Sequence, residues 1–280
     1  MRGAQQADAR AAGRVAGIGV ATYVEPNTYG SEFYKTAGIA GSGHDAAIVR
    51  IEPSGAVSAQ IGVVSQGQGH LTTVAQALAD ALAVPIEKVR VQSGDTAAAP
   101  YGMGTRGSSR RRGERGRGAR RCAHREGRSC LRIAAHLLEA PLDDLELVDG
   151  AIRVRGTPAS SLTIAQLAQK AYFAPTELPP GMEPGLEATH AYDPPPLTFS
   201  SGTHICRIEI DPETGALTIP RYTIVEDCGR MLNPRVVEGQ LHGATAQGLG
   251  GALLEEVVYG AERAEPQRDA ARLRDPDRPR

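Results

Sequence analysis

The mostly apolar run at residues 46–51 and the return at 56–64, where apolar and polar positions largely alternate, are strand-like, with Pro53-Ser54-Gly55 as a turn between them. That pattern predicts a β-hairpin. The same arrangement returns at 203–210 and 216–225, around Asp211-Pro212-Glu213-Thr214-Gly215. Ile48-Val49-Arg50-Ile51-Glu52 matches Ile205-Cys206-Arg207-Ile208-Glu209, so an internal pseudo-repeat is expected. Each copy leads into a segment rich in Gly and Gln and then into a helical run. In the first, Val74, Leu78, Ala81 and Leu82 share a face until Pro85 ends the helix. In the second, Pro234 suits the first turn after Asn233.

The remaining stretches predict smaller elements. Residues 9–15 form a short helix, 17–24 and 89–91 are strands, and Asn27-Thr28-Tyr29-Gly30 is a turn. Leu131–Leu138 is helical, and Asp149-Gly150 joins Leu145–Val148 to Ala151–Val154 as a hairpin. Ser161 is placed to cap a helix carrying Ile164, Leu167, Ala168 and Ala171. The class is α+β: hairpins packed with helices, in two related subdomains at 14–174 and 203–259. A Pro-rich, irregular connection at 175–202 separates them, and the aperiodic 260–280 is expected to be a disordered tail.

Composition supports a core but restricts its makeup. Of 280 residues, 41% are hydrophobic, yet only 4% are aromatic and none is Trp, so Ala, Val, Leu and Ile must fill the interior among 33 Gly. A net charge of −1 gives no global reason for a nucleic-acid partner. Cys122, Cys130, Cys206 and Cys228 form no CxxC pair, which disfavours a zinc or iron–sulfur site and fits a reducing compartment. No leader-like or membrane-spanning run is found, so a cytoplasmic location is expected.

The candidate chemistry gathers in glycine-rich loops. In Ser65-Gln66-Gly67-Gln68-Gly69-His70 the glycines let a ligand approach the backbone just where a helix with unpartnered amides begins, which makes an anion cradle. Gln66 and Gln68 add groups that both donate and accept, suited to a heteroaromatic edge. Gly94-Asp95-Thr96 and Tyr101–Ser109 form a second such loop, containing Thr105, Arg106, Gly107 and Ser108. Gln240 and Gln247 lie seven apart on one helical face among Gly239, Gly243 and Gly250. One glycine-rich turn alone could simply cap a helix; two matched copies favour a large, polar, phosphorylated ligand.

Residues 110–130 read as an irregular, Arg-rich insert. Arg110, Arg111, Arg112, Arg115, Arg117, Arg120, Arg121, Arg125 and Arg128 are interleaved with Gly and Ala without an apolar period, so no buried face is expected. Three readings stay open, in this order: GC-rich codons read in a shifted frame, a disordered loop, or a nucleic-acid arm. The last lacks aromatic residues for stacking.

The quoted loops, with Glu238-Gly239-Gln240-Leu241-His242-Gly243 and Ala246-Gln247-Gly248, resemble in order and spacing the cofactor segments of the molybdopterin-binding large subunit of molybdenum hydroxylases. This is the xanthine dehydrogenase and aerobic carbon monoxide dehydrogenase family. The resemblance covers residues 14–109 and 131–259. It implies a molybdenum–molybdopterin cofactor in its cytosine dinucleotide form, contacted by Gln68, Gly107, Ser108 and Gln240, with backbone amides on the pyrophosphate. It also implies iron–sulfur and FAD subunits as partners, and an aldehyde, a purine or carbon monoxide as substrate. No protein metal ligand and no catalytic residue are assigned. The family's glutamate base lies in a Gly-x-Gly-Glu-like motif that has no match here, so the chain alone is expected not to turn over substrate. Glu255 and Glu256 are read as solvated charges at a helix end. A non-catalytic cofactor-binding or interaction module is the other reading.

Overall fold

The computed structural model describes residues 2–104 and 117–256. It divides into two units, Met1–Leu232 and Asn233–Arg280, each described by itself. The first contains α1 (Arg2–Ala11), β1 (Val15–Tyr29), α2 (Ser31–Thr36), β2 (Asp45–Ile51), β3 (Val57–Ile61), α3 (His70–Leu82) and β4 (Val89–Ser93). It continues with α4 (Arg117–Leu137), β5 (Leu145–Val148), β6 (Ala151–Val154), β7 (Thr157–Thr163), α5 (Ile164–Phe173), β8 (Glu187–Tyr192), β9 (Leu197–Ile210) and β10 (Leu217–Asp227). The second unit contains α6 (Pro234–Leu253). The mixed helix and strand content is the α+β class expected.

The four-stranded sheet β4-β3-β2-β8 organises the core. Ala47, Val49 and Ile51 of β2 and Val57, Ala59 and Ile61 of β3 are buried, while the residues between them are not. That strict alternation covers one face only, and α3 supplies Val74, Leu78 and Leu82 to it. Both expected hairpins form: β2 pairs antiparallel with β3, and β9 with β10. A smaller sheet, β5-β6-β7, contains the hairpin at Asp149-Gly150.

Four expectations need correction. The Arg-rich insert does not stay irregular: α4 begins at Arg117 and runs unbroken to Leu137. Its buried face is Gly118, Ala119, Cys122, Ala123, Glu126, Gly127, Cys130, Ile133 and Ala134, a helical stripe made mostly of residues too small to register as an apolar period. The rest of the insert, Arg110, Arg111, Arg112 and Arg115 included, lies outside the described residues. The connection expected at 175–202 contains β8, which pairs antiparallel with β2, and the first residues of β9. Asn27-Thr28-Tyr29 is no turn; it continues β1, with a register shift between Pro26 and Thr28. The cap of α5 is Thr163, since Ser161 still belongs to β7 and pairs with Arg153.

The third sheet, β1-β9-β10, joins the chain's first strand to its last two. Val15 pairs with Ile210 and Tyr29 with Leu197. Tyr23 on β1 donates a hydrogen bond to the Glu226 carboxylate on β10, across the middle strand. His204 Nδ1 lies 2.9 Å from the Tyr222 hydroxyl beside it. The helical expectation for 9–15 is met earlier, by α1, because Gly13 adopts φ 71° and the strand starts at Val15.

Candidate functional site

Strand direction places the loops. β3 is antiparallel to β2 but parallel to β4, with α3 as the crossover between the parallel pair. Parallel strands end on the same side of a sheet. The loop after β3, which holds Gln66 to Gly69, therefore leaves the same sheet end as the loop after β4, which begins the second glycine-rich segment. In open sheets that end is where ligands are commonly held.

The first loop is built for backbone presentation. Val63 is buried and anchors its start, while Gln66 and Gly67 are exposed and Gln68, Gly69 and His70 half-buried. Gly67 and Gly69 take φ 100° and 73°, which disfavours any side chain. Gly69 is the N-cap of α3 and places no side chain over the opening turn of the helix. The Gln68 carbonyl oxygen accepts from the Gln66 amide and the Ser65 hydroxyl. The sequence reading gave both halves of this side chain to a ligand; the structure uses its acceptor as an internal brace of the loop.

The second loop is pinned against the approach to the first. A Cβ on Gly62 would stand 2.8 Å from the Pro100 carbonyl and 3.0 Å from the Gly102 Cα, so the two backbones touch only because both positions are glycine. The Met103 amide donates to the His44 carbonyl at 3.3 Å, and the His44 and Tyr101 rings are 5.6 Å apart. Asp95 tightens the turn by accepting the Ala97 amide at 2.9 Å. Thr105, Arg106, Gly107 and Ser108 lie outside the described residues.

The start of α4 is a feature sequence reasoning missed. The Arg117 guanidinium donates to the Tyr192 hydroxyl at 2.9 Å, and Gly118 packs near the His190 carbonyl and Ala47. Tyr192 pairs with Asp45 at the first residue of β2, and Ala47 pairs with Ile61 at the last residue of β3. α4 therefore begins at the same sheet end as α3 and runs the same way, since Gly127 lies beside Leu82 at the far end of α3. The N-terminus of α3, with its positive dipole end, and the first described turn of α4 thus lie where the loops emerge. The signal that could have found it is the spacing of small residues at 118, 119, 122, 123 and 127.

In the second unit, Asn233 caps α6 by accepting the Val236 amide at 3.1 Å, with Pro234 in the first turn as expected. Gln240 is half-buried and Gln247 exposed, and no residue of α6 is buried. A Cβ on Gly239, Gly243 or Gly248 would meet nothing within 4 Å. Gly239 and Gly243, one turn apart, thus leave an open face on this helix, with Gln240 and Gln247 beside it. Glu255 and Glu256 are exposed just beyond it.

Among the described residues no group of three or more His, Cys, Asp or Glu is placed to hold a metal ion. The cradle offers amides and amide side chains instead, a donor set that fits a phosphorylated organic group. The amides that open α3, positive-φ glycines and open space around Gly67 pass the test of fit for a pyrophosphate.

The fold and these loops define an α+β domain that holds a large anionic cofactor. Comparison with known proteins says which one: the model of the molybdopterin cofactor-binding domain matches residues 1–271, and the chain belongs to that family. It is 38% identical over 247 residues to the carbon monoxide dehydrogenase large chain of Hydrogenophaga pseudoflava, covering 88% of this chain and 30% of that relative. It is 38% identical over 255 residues to the nicotine 6-hydroxylase large subunit of Paenarthrobacter nicotinovorans, covering 91% and 31%. Quinoline 2-oxidoreductase from Pseudomonas putida 86 superposes with a TM-score of 0.83 at 39% identity, over 94% of this chain and 33% of that one. The chain therefore spans about a third of the solved relative and 30% of the first sequence relative. No described helix is long and apolar enough to cross a membrane.

Proposed function

We propose that this chain is the part of a molybdenum hydroxylase large subunit that grips the molybdopterin cofactor in its cytosine dinucleotide form. The observation that carries the reading is the convergence of the β3 and β4 loops with the N-terminus of α3 at one sheet end. Backbone amides of Gly67 to His70 would hold the pyrophosphate, helped by the positive end of α3. The NH2 group of Gln68, with Gln66, would meet polar edges of the organic part. Thr105, Arg106, Gly107 and Ser108 would hold it from the second loop, and Gln240 and Gln247 from α6. When bound, the group supplies two-electron oxidation with oxygen transfer, acting on an aldehyde, a purine or a related heteroaromatic, or on carbon monoxide.

These residues bind and orient; none is assigned a proton-transfer step. Electrons would leave through iron–sulfur and FAD subunits, in keeping with relatives described as a large chain, a large subunit and a complex subunit gamma. A cytoplasmic setting follows from the same reading, and the four free thiols agree with it.

The test is cofactor retention. Gln68→Ala and Gln240→Ala, expressed in a host that makes the cofactor, should each lower molybdenum and pterin content of the purified protein, because a ligand atom loses a partner worth roughly 1–3 kcal/mol. Metal and pterin content equal to wild type in both variants removes these glutamines from the site. With substrates and an artificial electron acceptor, the chain by itself should show only background electron transfer.

A further inference from the structure

Away from the cradle, a groove of about 1200 Å³ runs along α4, between that helix and the edge formed by β2 and β8. Its helical wall carries Arg121, Arg125, Arg128 and Arg132. Steps of four, three and four residues put all of them on one stripe, with neighbouring Cβ atoms about 5–6 Å apart. Opposite stand Arg50 of β2 and Glu187 and His190 of β8.

The charges are unevenly engaged. Arg50 is held by Glu187 in an ion pair. Arg121 lies 3.3 Å from His190 Nε2 and 5.0 Å over the Tyr192 ring. Among the described residues no ion pair engages Arg125, Arg128 or Arg132. On the acidic side, Glu52 accepts the Ser58 hydroxyl, and Glu126 is 3% exposed in the groove floor, with burial pushing its carboxyl up to about 7. Glu183 also lines the groove, so four carboxylates face five guanidinium groups, with Arg125, Arg128 and Arg132 standing together on the helical wall. The Tyr172 hydroxyl, buried beside the Leu186 backbone, lines the same groove without a well-formed hydrogen bond.

Three adjacent forks suit an anion with several linked charges, because each guanidinium can engage two oxygens in parallel and a monoanion can satisfy only one fork. Single-stranded nucleic acid is disfavoured, since the Tyr192 ring is covered by Arg117 and Arg121 and offers no face for a base. We propose that this groove binds a condensed phosphate, an anion of two or more linked phosphoryl groups, through Arg125, Arg128 and Arg132. No cradle residue takes part.

Calorimetric titration of the full chain with sodium tripolyphosphate tests it. Saturable binding is expected, at least tenfold tighter than orthophosphate and weakening as sodium chloride rises. Arg128→Gln and Arg132→Gln should each weaken it at least fivefold, whereas Arg155→Gln, at an exposed turn between β6 and β7, should not. Adenosine triphosphate distinguishes the source: equal affinity identifies the phosphate chain alone, and tighter binding identifies a nucleotide, both consistent with the groove. Tripolyphosphate binding no better than orthophosphate, a loss in Arg155→Gln equal to that in Arg128→Gln, or displacement by a single-stranded oligonucleotide at matched phosphate concentration would overturn the proposal. The comparison with orthophosphate needs no variant, so it stands even where a substitution disturbs α4.

Discussion

Gly69 does two jobs at one position: it turns the chain at φ 73° and opens α3 without a side chain over its amides. Gly69→Ala should therefore cost roughly 1 kcal/mol in urea unfolding, from the left-handed conformation alone. A neutral result would mean that the loop relaxes away from this geometry. Glu126 has the opposite character, a carboxyl forced inside. Burial raises its pKa from 4.5 to about 7, with Arg125 opposing and Glu187 reinforcing the shift. Between those values the folded state keeps a proton that the unfolded chain releases, so the Glu126 contribution to stability is fully present below pH 4.5 and is lost as pH rises to about 7. Urea unfolding at pH 5 and pH 8 should show this difference, and Glu126→Gln should reduce it. If the variant keeps the full pH difference, the slope arises elsewhere.

α5 shows how a cap is chosen. The Thr163 hydroxyl accepts the Gln166 amide at 3.2 Å, and the Gln166 side chain accepts the Thr163 amide at 2.8 Å. Thr163→Ala should cost about 1 kcal/mol in thermal or urea unfolding, while Ser161→Ala should be near neutral. Equal losses would return the cap to Ser161. The sequence reading placed the cap at Ser161; the pairing of Ser161 with Arg153 in β7 is what removes it from that role. Hairpins were legible because alternation of Ile, Val and Ala is a local signal. The pairing of β8 with β2 was not, because its partner lies far away in sequence and Pro-rich flanks dominate a local reading. α4 was missed for another reason: its buried stripe of Gly, Ala and Cys carries little hydrophobicity per residue, and the arginines between hide it. Of the candidate site, loop composition was readable, but the shared sheet end depends on strand direction, which no local pattern encodes. α4 also sets an expectation for proteolysis. Trypsin should cut after Arg230, exposed in the bend before α6, sooner than after Arg121 or Arg125, whose helix must first unwind. Early fragments ending at Arg121 or Arg125 would show that α4 opens by itself.

In the molecule as a whole, α6 stands apart in composition as well as in grouping. Gly239, Gly243, Gly248, Gly250 and Gly251 each cost roughly 1 kcal/mol relative to Ala, and no residue of the helix is buried to offset them. Order in α6 thus depends on what covers its open face, as a clamp for a bound group would require. The sheet β1-β9-β10 carries a different consequence, one of timing. Arg14, just before β1, pairs with Glu209 of β9 across 195 residues of chain. A ribosome adding about 5–20 residues per second needs roughly 10–40 s to make that stretch, and β1 has no sheet partner until it is done. Through that interval Val20 and Val24, still exposed in the finished fold, sit on a strand with both edges open. A nascent polypeptide so arranged has most need of a chaperone at β1, for as long as that strand waits for β9.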